Sequence, residues 1–244
     1  MKIGVSTPVQ RSQYGTPVFI TPKKEGTERF ITEYRRLNHK LVRKPYTLPR
    51  IGETIQHLEV LQYATVLYLS MGYYNISIPP ASQDMTTIVT KFGKFRYNRL
   101  HMGVCASGYT LQAKVYELLG DIKGLKTYID DILVSIKDLF RKHIEQPRII
   151  LGRFSAAGLK VNALKFSFGL KEITYLGYVI KREGIKPEPN KVQGIIYIRK
   201  PDTTTKVRAL IGMVHYYMDM WPRRSHVLTP LTDAASGPKG KEIL

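Results

Sequence analysis

A chain of 244 residues, 43% hydrophobic and 23% charged, is long enough for one sizeable core, with or without a small appended lobe, and is expected to be globular. Its 38 Lys and Arg outweigh 19 Asp and Glu, a formal net charge of +19, so a polyanionic partner is expected, nucleic acid first, with plain solvated lysine as the ordinary alternative. Cys105 is the only cysteine, which excludes a disulfide framework and thiolate metal cages, and no apolar run approaches the roughly 20 residues that span a bilayer.

The opening stretch MKIGVSTPVQRSQYG lacks the apolar centre of a signal peptide, so a protein neither secreted nor membrane-bound is expected. From Thr16 to Asn38, TPVFITPKKEGTERFITEYRRLN alternates apolar and polar residues on both sides of Lys23 to Gly26, which predicts a basic hairpin. Pro45 and Pro49 then call for an extended run before a short helix near Gly52. YATVLYLSMGYYNISI, Tyr63 to Ile78, is rich in strand formers and stops at Pro79 and Pro80, giving a strand pair or a strand and a turn.

From Ser107, the spacing of Leu111, Val115, Leu118 and Leu119 predicts a helix leading into TYIDDILV. Asp138 is placed to cap a further helix carrying Leu139, Phe140, His143, Ile144, Ile150, Leu151 and Phe154, in which Pro147 predicts a kink or a break. Gly158 should end that helix and LKVN should begin a strand. EITYLGYVIKREGIKPEP reads as a hairpin turning near Arg182 to Gly184. Residues 190–199 and 204–218 read as helices, the second capped by Thr203 or Thr204 and limited by Pro222. Strands mixed with helices and followed by a helical tail predict an α+β fold with a small helical lobe.

TYIDDILV sets Asp130 and Asp131 between two short apolar runs. Strand, turn, strand accounts for the shape, with the acids at the turn. It leaves open why two like charges share one spot in so basic a chain; a divalent cation between them would answer that.

TPVFITPKKEG with RFITEYRRLN, LPRIGETI, LYLSMGYY, FGKFRYNRLHMG, the glutamine of TLQAK, TYIDDILV, AGLKVNALKFSF, YLGYVIKREGIKP, and ALIGMVHYYMDMWP with PLTDA occur in that order. Together they resemble the reverse transcriptase region of gypsy-type LTR retrotransposon polyproteins, over almost the whole chain. The resemblance implies a right-hand polymerase: fingers and a palm with a small antiparallel sheet over residues 1–180, then a helical thumb and the start of a connection over 181–244. The RNase H and integrase regions that follow in such polyproteins lie outside this sequence.

The same resemblance implies an RNA-directed DNA polymerase that acts on an RNA or DNA template with primer and on deoxynucleoside triphosphates. Its cofactor would be Mg²⁺, two ions, with Mn²⁺ as a substitute. Asp130 and Asp131 match the metal-binding pair, and Lys165 matches a lysine that protonates leaving pyrophosphate. Lys24 and Arg29 match residues that grip the triphosphate, Tyr73 the gate against a ribose 2′-hydroxyl, and Gln112 a residue beneath the nucleotide pair. Leu176, Gly177 and Tyr178 match the primer grip. A cytoplasmic particle or the nucleus is the implied location.

The sequence departs from the family where its first metal-binding carboxylate belongs, because Tyr68 stands there and no acid occurs between Glu59 and Asp84. A phenol is neutral at pH 7 and differs in reach from a carboxylate, so polymerase activity is expected to be weakened or lost in this copy. His101 where proline is usual, Tyr109 and Leu111 around Gln112, and Pro147 point the same way. Two readings stand: a retroelement polymerase region, or a basic nucleic-acid-binding relic that adds no nucleotide. An RNA-templated RNA polymerase fits Tyr73 less well.

Overall fold

The computed structural model describes residues 4–22, 26, 28–42, 46–56, 58, 62–136 and 139–242. In chain order its strands and helices are β1 (Ser6–Val9), β2 (Thr16–Pro22), β3 (Glu28–Thr32), α1 (Arg35–Lys40), α2 (Ile51–Gln56), β4 (Tyr63–Tyr68), α3 (Pro80–Gln83), β5 (Ile88–Thr90), β6 (Gly93–Tyr97) and α4 (Ser107–Leu119). They continue with β7 (Leu125–Tyr128), β8 (Asp131–Ile136), α5 (Phe140–Ala156), β9 (Ser167–Leu170), β10 (Glu172–Tyr175), β11 (Tyr178–Lys181), β12 (Gly184–Pro187), α6 (Pro189–Ile196), α7 (Thr204–His215) and α8 (Arg224–Ala234). This is the expected α+β mixture. No helix among the described residues is long and apolar enough to cross a membrane.

The chain divides into two compact units, one of Met1–Pro49, Thr65–Val134 and Leu139–Phe168, the other of Arg50–Ala64, Ser135–Asp138 and Gly169–Leu244. The first carries a five-stranded sheet in the order β1-β6-β5-β2-β3. Its β2–β3 ribbon pairs Val18 with Thr32 through to Pro22 with Glu28, the hairpin that alternation predicts, and its turn lies outside the described residues apart from Gly26. Val5, Tyr34, Ile78, Ile88 and Tyr97 form a core there, and the Tyr34 hydroxyl donates to the Thr86 carbonyl at 2.8 Å.

A four-stranded sheet in the order β7-β8-β4-β9 holds the larger core. Ala64 to Leu67 and Ile132 to Val134 are buried on both faces, which is why these strands read as apolar runs rather than alternating ones. Leu111, Val115 and Leu119 of α4 and Ile150 and Phe154 of α5 pack on Leu67, Leu69, Ile132 and Val134. Burying side chains of that size stabilises by about 1.5–3 kcal/mol each.

Four departures from expectation have local causes. First, α5 runs unbroken from Phe140 to Ala156 with Pro147 inside it. Pro147 is buried with His143, Ile150 and Phe154, and His143 Nε2 lies 2.7 Å from Thr65 Oγ1, so packing on both sides of the proline offsets the lost backbone bond. Asp138, the expected cap, lies outside the described residues. Gly158 ends the helix as expected: at φ +70° it donates to Ser155 O while Leu159 N–H reaches back to Phe154 O, a Schellman closure.

Second, LKVN forms no strand. Only Val161 bridges, to Leu69, because Asn162 at once begins a 3₁₀ turn, Ala163–Lys165, and caps it through Leu164 N–H. Third, the expected single hairpin is a three-stranded antiparallel sheet, β10-β11-β12, in the second unit. Its additional turn is Leu176–Gly177, where both residues have positive φ, 47° and 75°, the pattern of a type I′ turn. Fourth, α8 follows α7, which Thr203 caps through Lys206 N–H. The Arg208 guanidinium of α7 donates to the Ala235 and Gly237 carbonyls at 2.7 Å each, satisfying the end of α8.

Candidate active site

β7 and β8 pair Leu125 with Val134 through to Tyr128 with Asp131, so the two turn residues are Ile129 and Asp130. The turn therefore sits one residue earlier than the apolar spacing implies: Asp130 closes it and Asp131 is already in the strand. Ile129 has φ +58°, a state that costs a β-branched residue about 1–2 kcal/mol. Positive φ at the first central residue alone is the pattern of a type II′ turn, where glycine is the ordinary occupant.

Strand parity assembles the rest. Leu67, Leu69, Ile132 and Val134 face the core, so Tyr68 and Asp131 project from the opposite face of adjacent strands. Leu69 N–H donates to Asp130 O at 3.1 Å and locks the end of β4 to the hairpin turn. Beside it, Asn162 N–H donates to Tyr68 O at 2.8 Å and Ser70 N–H to Lys160 O at 2.7 Å. These bonds fix the Ala163–Lys165 turn against β4 and bring Lys165 Nζ to 5.8 Å from the centre of the Tyr68 ring. Tyr73 stands on a 3₁₀ turn, Gly72–Asn75, that leaves β4 through Met71 at φ +53°.

The electrostatics bind these groups into one cluster. Burial, and next the charge of Asp130, push the Asp131 carboxyl up to about 6, against the opposing pull of Lys165. Burial raises the Tyr68 and Tyr73 hydroxyls above the ordinary phenol range, and both aspartates push them further the same way. Tyr68 is thus a neutral phenol at pH 7. Among the described residues no three His, Cys, Asp or Glu side chains gather as a metal cage, so the acidic donors at this cluster are Asp130 and Asp131.

The other residues singled out from the sequence are placed as follows. Gln112 is 2% exposed on α4, its amide turned into the β7–β8 hairpin. Arg29 is exposed on the β2–β3 ribbon, and Lys24 lies outside the described residues. Leu176, Gly177 and Tyr178 belong to the second unit, where Tyr216 Oη donates to Leu176 O at 2.6 Å, Tyr217 Oη to Gly177 O at 3.2 Å and Tyr178 Oη to Tyr216 O at 2.8 Å. Sequence reasoning assigned no role to Ile129, Tyr216 or Tyr217. The adjacent tyrosines of MVHYYMDMW were the available signal, since paired hydroxyls at a helix end are suited to holding a neighbouring backbone.

Comparison with known proteins gives the family and the fold. Residues 21–180 match the family model described as reverse transcriptase (RNA-dependent DNA polymerase). The retrovirus-related Pol polyprotein from transposon opus of Drosophila melanogaster is 30% identical over 233 residues, 93% of this chain and 23% of that protein. That from transposon gypsy of the same organism is 26% identical over 249 residues, 98% of this chain and 24% of that protein. The chain thus spans about a quarter of the length of these relatives. A foamy viral protease-reverse transcriptase in complex with dsDNA superposes with a TM-score of 0.88 at 25% identity, covering 100% of this chain and 51% of that one. A second foamy viral structure, also with ds DNA, gives 0.89 at 24% identity over 99% of this chain and 43% of that one, and shows the α+β polymerase fold. With residues 21–180 matched by that family model and its sequence similar to these relatives over most of its length, this chain belongs to the reverse transcriptase (RNA-dependent DNA polymerase) family.

Proposed function

We propose that the chain is the polymerase region of a retrotransposon Pol polyprotein, built to extend a primer on an RNA or DNA template with deoxynucleoside triphosphates, and that this copy catalyses the reaction weakly or not at all. The observation that carries this reading is the cluster of Asp130, Asp131, Tyr73 and Lys165 around Tyr68. Reverse transcriptases use divalent metal ions. Here the two carboxylates suit one such ion, Mg²⁺ by preference for oxygen donors, with Mn²⁺ as a substitute. They do not suit two. A second ion needs the charge that Tyr68 does not supply, so no two-ion step is derived for these residues.

The remaining roles follow the same reading. Lys165 stands ready to give a proton to the leaving pyrophosphate, its ammonium beside Asp131. Tyr73 presents the edge against a ribose 2′-hydroxyl, and Arg29 with Lys24 grips the triphosphate. Leu176, Gly177 and Tyr178 hold the primer end. Residues 1–180 act as fingers and palm and 181–244 as thumb, with RNase H and integrase regions as companions in the same polyprotein.

A second reading, a nucleic-acid-binding relic, is favoured by the neutral Tyr68. Affinity for a primer–template is common to both, because +19 of net charge attracts phosphate in either case. Metal-dependent extension separates them. On a poly(rA)–oligo(dT) substrate with Mg²⁺ or Mn²⁺, slow extension by the chain as it stands supports the polymerase reading. No extension by it or by Tyr68→Asp, from protein that melts cooperatively, supports the relic.

A further inference from the structure

We propose that Gln112 is a positioning residue for the Asp130–Asp131 pair: its buried amide holds the β7–β8 turn in the one backbone state that presents both carboxylates to a divalent cation. This rests on the reading of that pair as the cation site.

Gln112 lies in the apolar stripe of α4, with Leu111, Val115 and Leu119. An amide at such a position is costly unless both of its ends are bonded. Both are. Its Oε1 accepts the Ile129 N–H, while its Nε2 donates to Thr127 Oγ1 at 3.0 Å and towards Thr127 O at 3.3 Å. One side chain therefore grips the last part of β7 and the first residue of the turn, across 15 to 17 residues of sequence.

The gripped residue is the strained one. Ile129 at φ +58° occupies a left-handed state that its branched side chain disfavours, so an isolated TYIDDI hairpin would leave it. Two contacts oppose that relaxation. Gln112 fixes the amide, and the Ile129 side chain lies over Gly108, where a built Cβ would stand 3.6 Å from Ile129 Cδ1. Asp130 is the next residue and Asp131 the one after, so a change at Ile129 re-aims both carboxylates. With its amide spent on the hairpin and 2% of its surface exposed, Gln112 reaches the nucleotide through the turn rather than by contact.

The test is a rescue. Mn²⁺ affinity of the full chain, read from the free-ion EPR signal, is compared for wild type, Gln112→Met, Ile129→Gly and the double variant, with Asp131→Asn as control. Methionine keeps the volume and removes all three hydrogen bonds; glycine at 129 removes the strain. Gln112→Met is expected to weaken Mn²⁺ binding about fivefold or more, and the double variant to return within about twofold of wild type. Unchanged affinity in Gln112→Met overturns the proposal, as does a double variant as weak as the single. Hydrogen exchange gives a metal-free readout: the Ile129 amide should exchange at least about tenfold faster in Gln112→Met while the Ile132 to Val134 amides stay protected. If Asp131→Asn leaves Mn²⁺ affinity unchanged, the cation site is misread. The clamp is then judged on exchange alone, where equal Ile129 rates overturn it.

Discussion

Lys165 holds its ammonium 5.8 Å from the centre of the Tyr68 ring, so the cation that flanks the carboxylate pair faces an aromatic surface at the position where the proposed reading expects a third carboxylate. On that reading the cluster is short of one negative charge on the face of the sheet that carries Asp131. Tyr68→Asp restores it. With Mg²⁺, the variant is expected to extend a primer at least about 100-fold faster than the chain as it stands, since a lost metal ligand is worth several kcal/mol of transition-state stabilisation. Equal rates for the two proteins would remove the argument from Tyr68.

The carboxylate pair should weaken the fold. The Asp131 carboxyl is raised to about 6 in the folded state, chiefly by burial and then by Asp130, whereas the unfolded chain ionises near the ordinary carboxylate value. Between these values the folded state binds more protons, so stability from this group is present at low pH and lost as pH rises through about 6. Asp131→Asn should accordingly raise Tm at pH 7. A lower Tm for that variant would show that Asp131 is stabilised by partners rather than strained.

His101 works in the opposite direction. It is 2% exposed, stacked on Tyr97 at a ring distance of 4.1 Å, and burial lowers it from 6.5 to about 4. Between those values the unfolded state binds more protons, so stability falls on acidification from about pH 6.5 to 4, by about 3 kcal/mol in all. His101→Phe should flatten this part of a Tm-against-pH curve. An unaltered acid limb in that variant would assign acid sensitivity to other groups.

Gly177→Ala is expected to destabilise the second unit by about 1–2 kcal/mol, because position 177 has φ +75° and an added Cβ would lie 3.4 Å from both Tyr216 and Tyr217. A denaturant midpoint measures it. The same variant should loosen primer binding if Leu176–Gly177 grips the primer end, which a fluorescent primer–template titration reads separately.

Phe154→Ala removes a 1% exposed ring from the core beneath the carboxylate hairpin and should cost about 3–5 kcal/mol. Loss of the cooperative transition in thermal melts is the expected outcome. A change under about 1 kcal/mol would mean that α5 repacks without this aromatic.

Much of this protein was legible from local rules. Alternation revealed the β2–β3 ribbon, Gly158 marked the end of α5, and Thr203 capped α7, because period, left-handed glycine and capping oxygens act within a few residues. The aspartate pair and the absence of any acid between Glu59 and Asp84 are likewise facts of sequence order alone. Tertiary structure decided what depends on residues far apart. Pro147 stays helical because Thr65 and the core hold both of its flanks, and LKVN is no strand because Tyr68 and Ser70 pair with only a short part of it. The turn before Asp131 starts at Ile129 rather than Asp130 because an amide from α4 offsets a backbone state that isoleucine alone would leave. Local chemistry thus sets which residues are present at the site, while long-range hydrogen bonds set where they point.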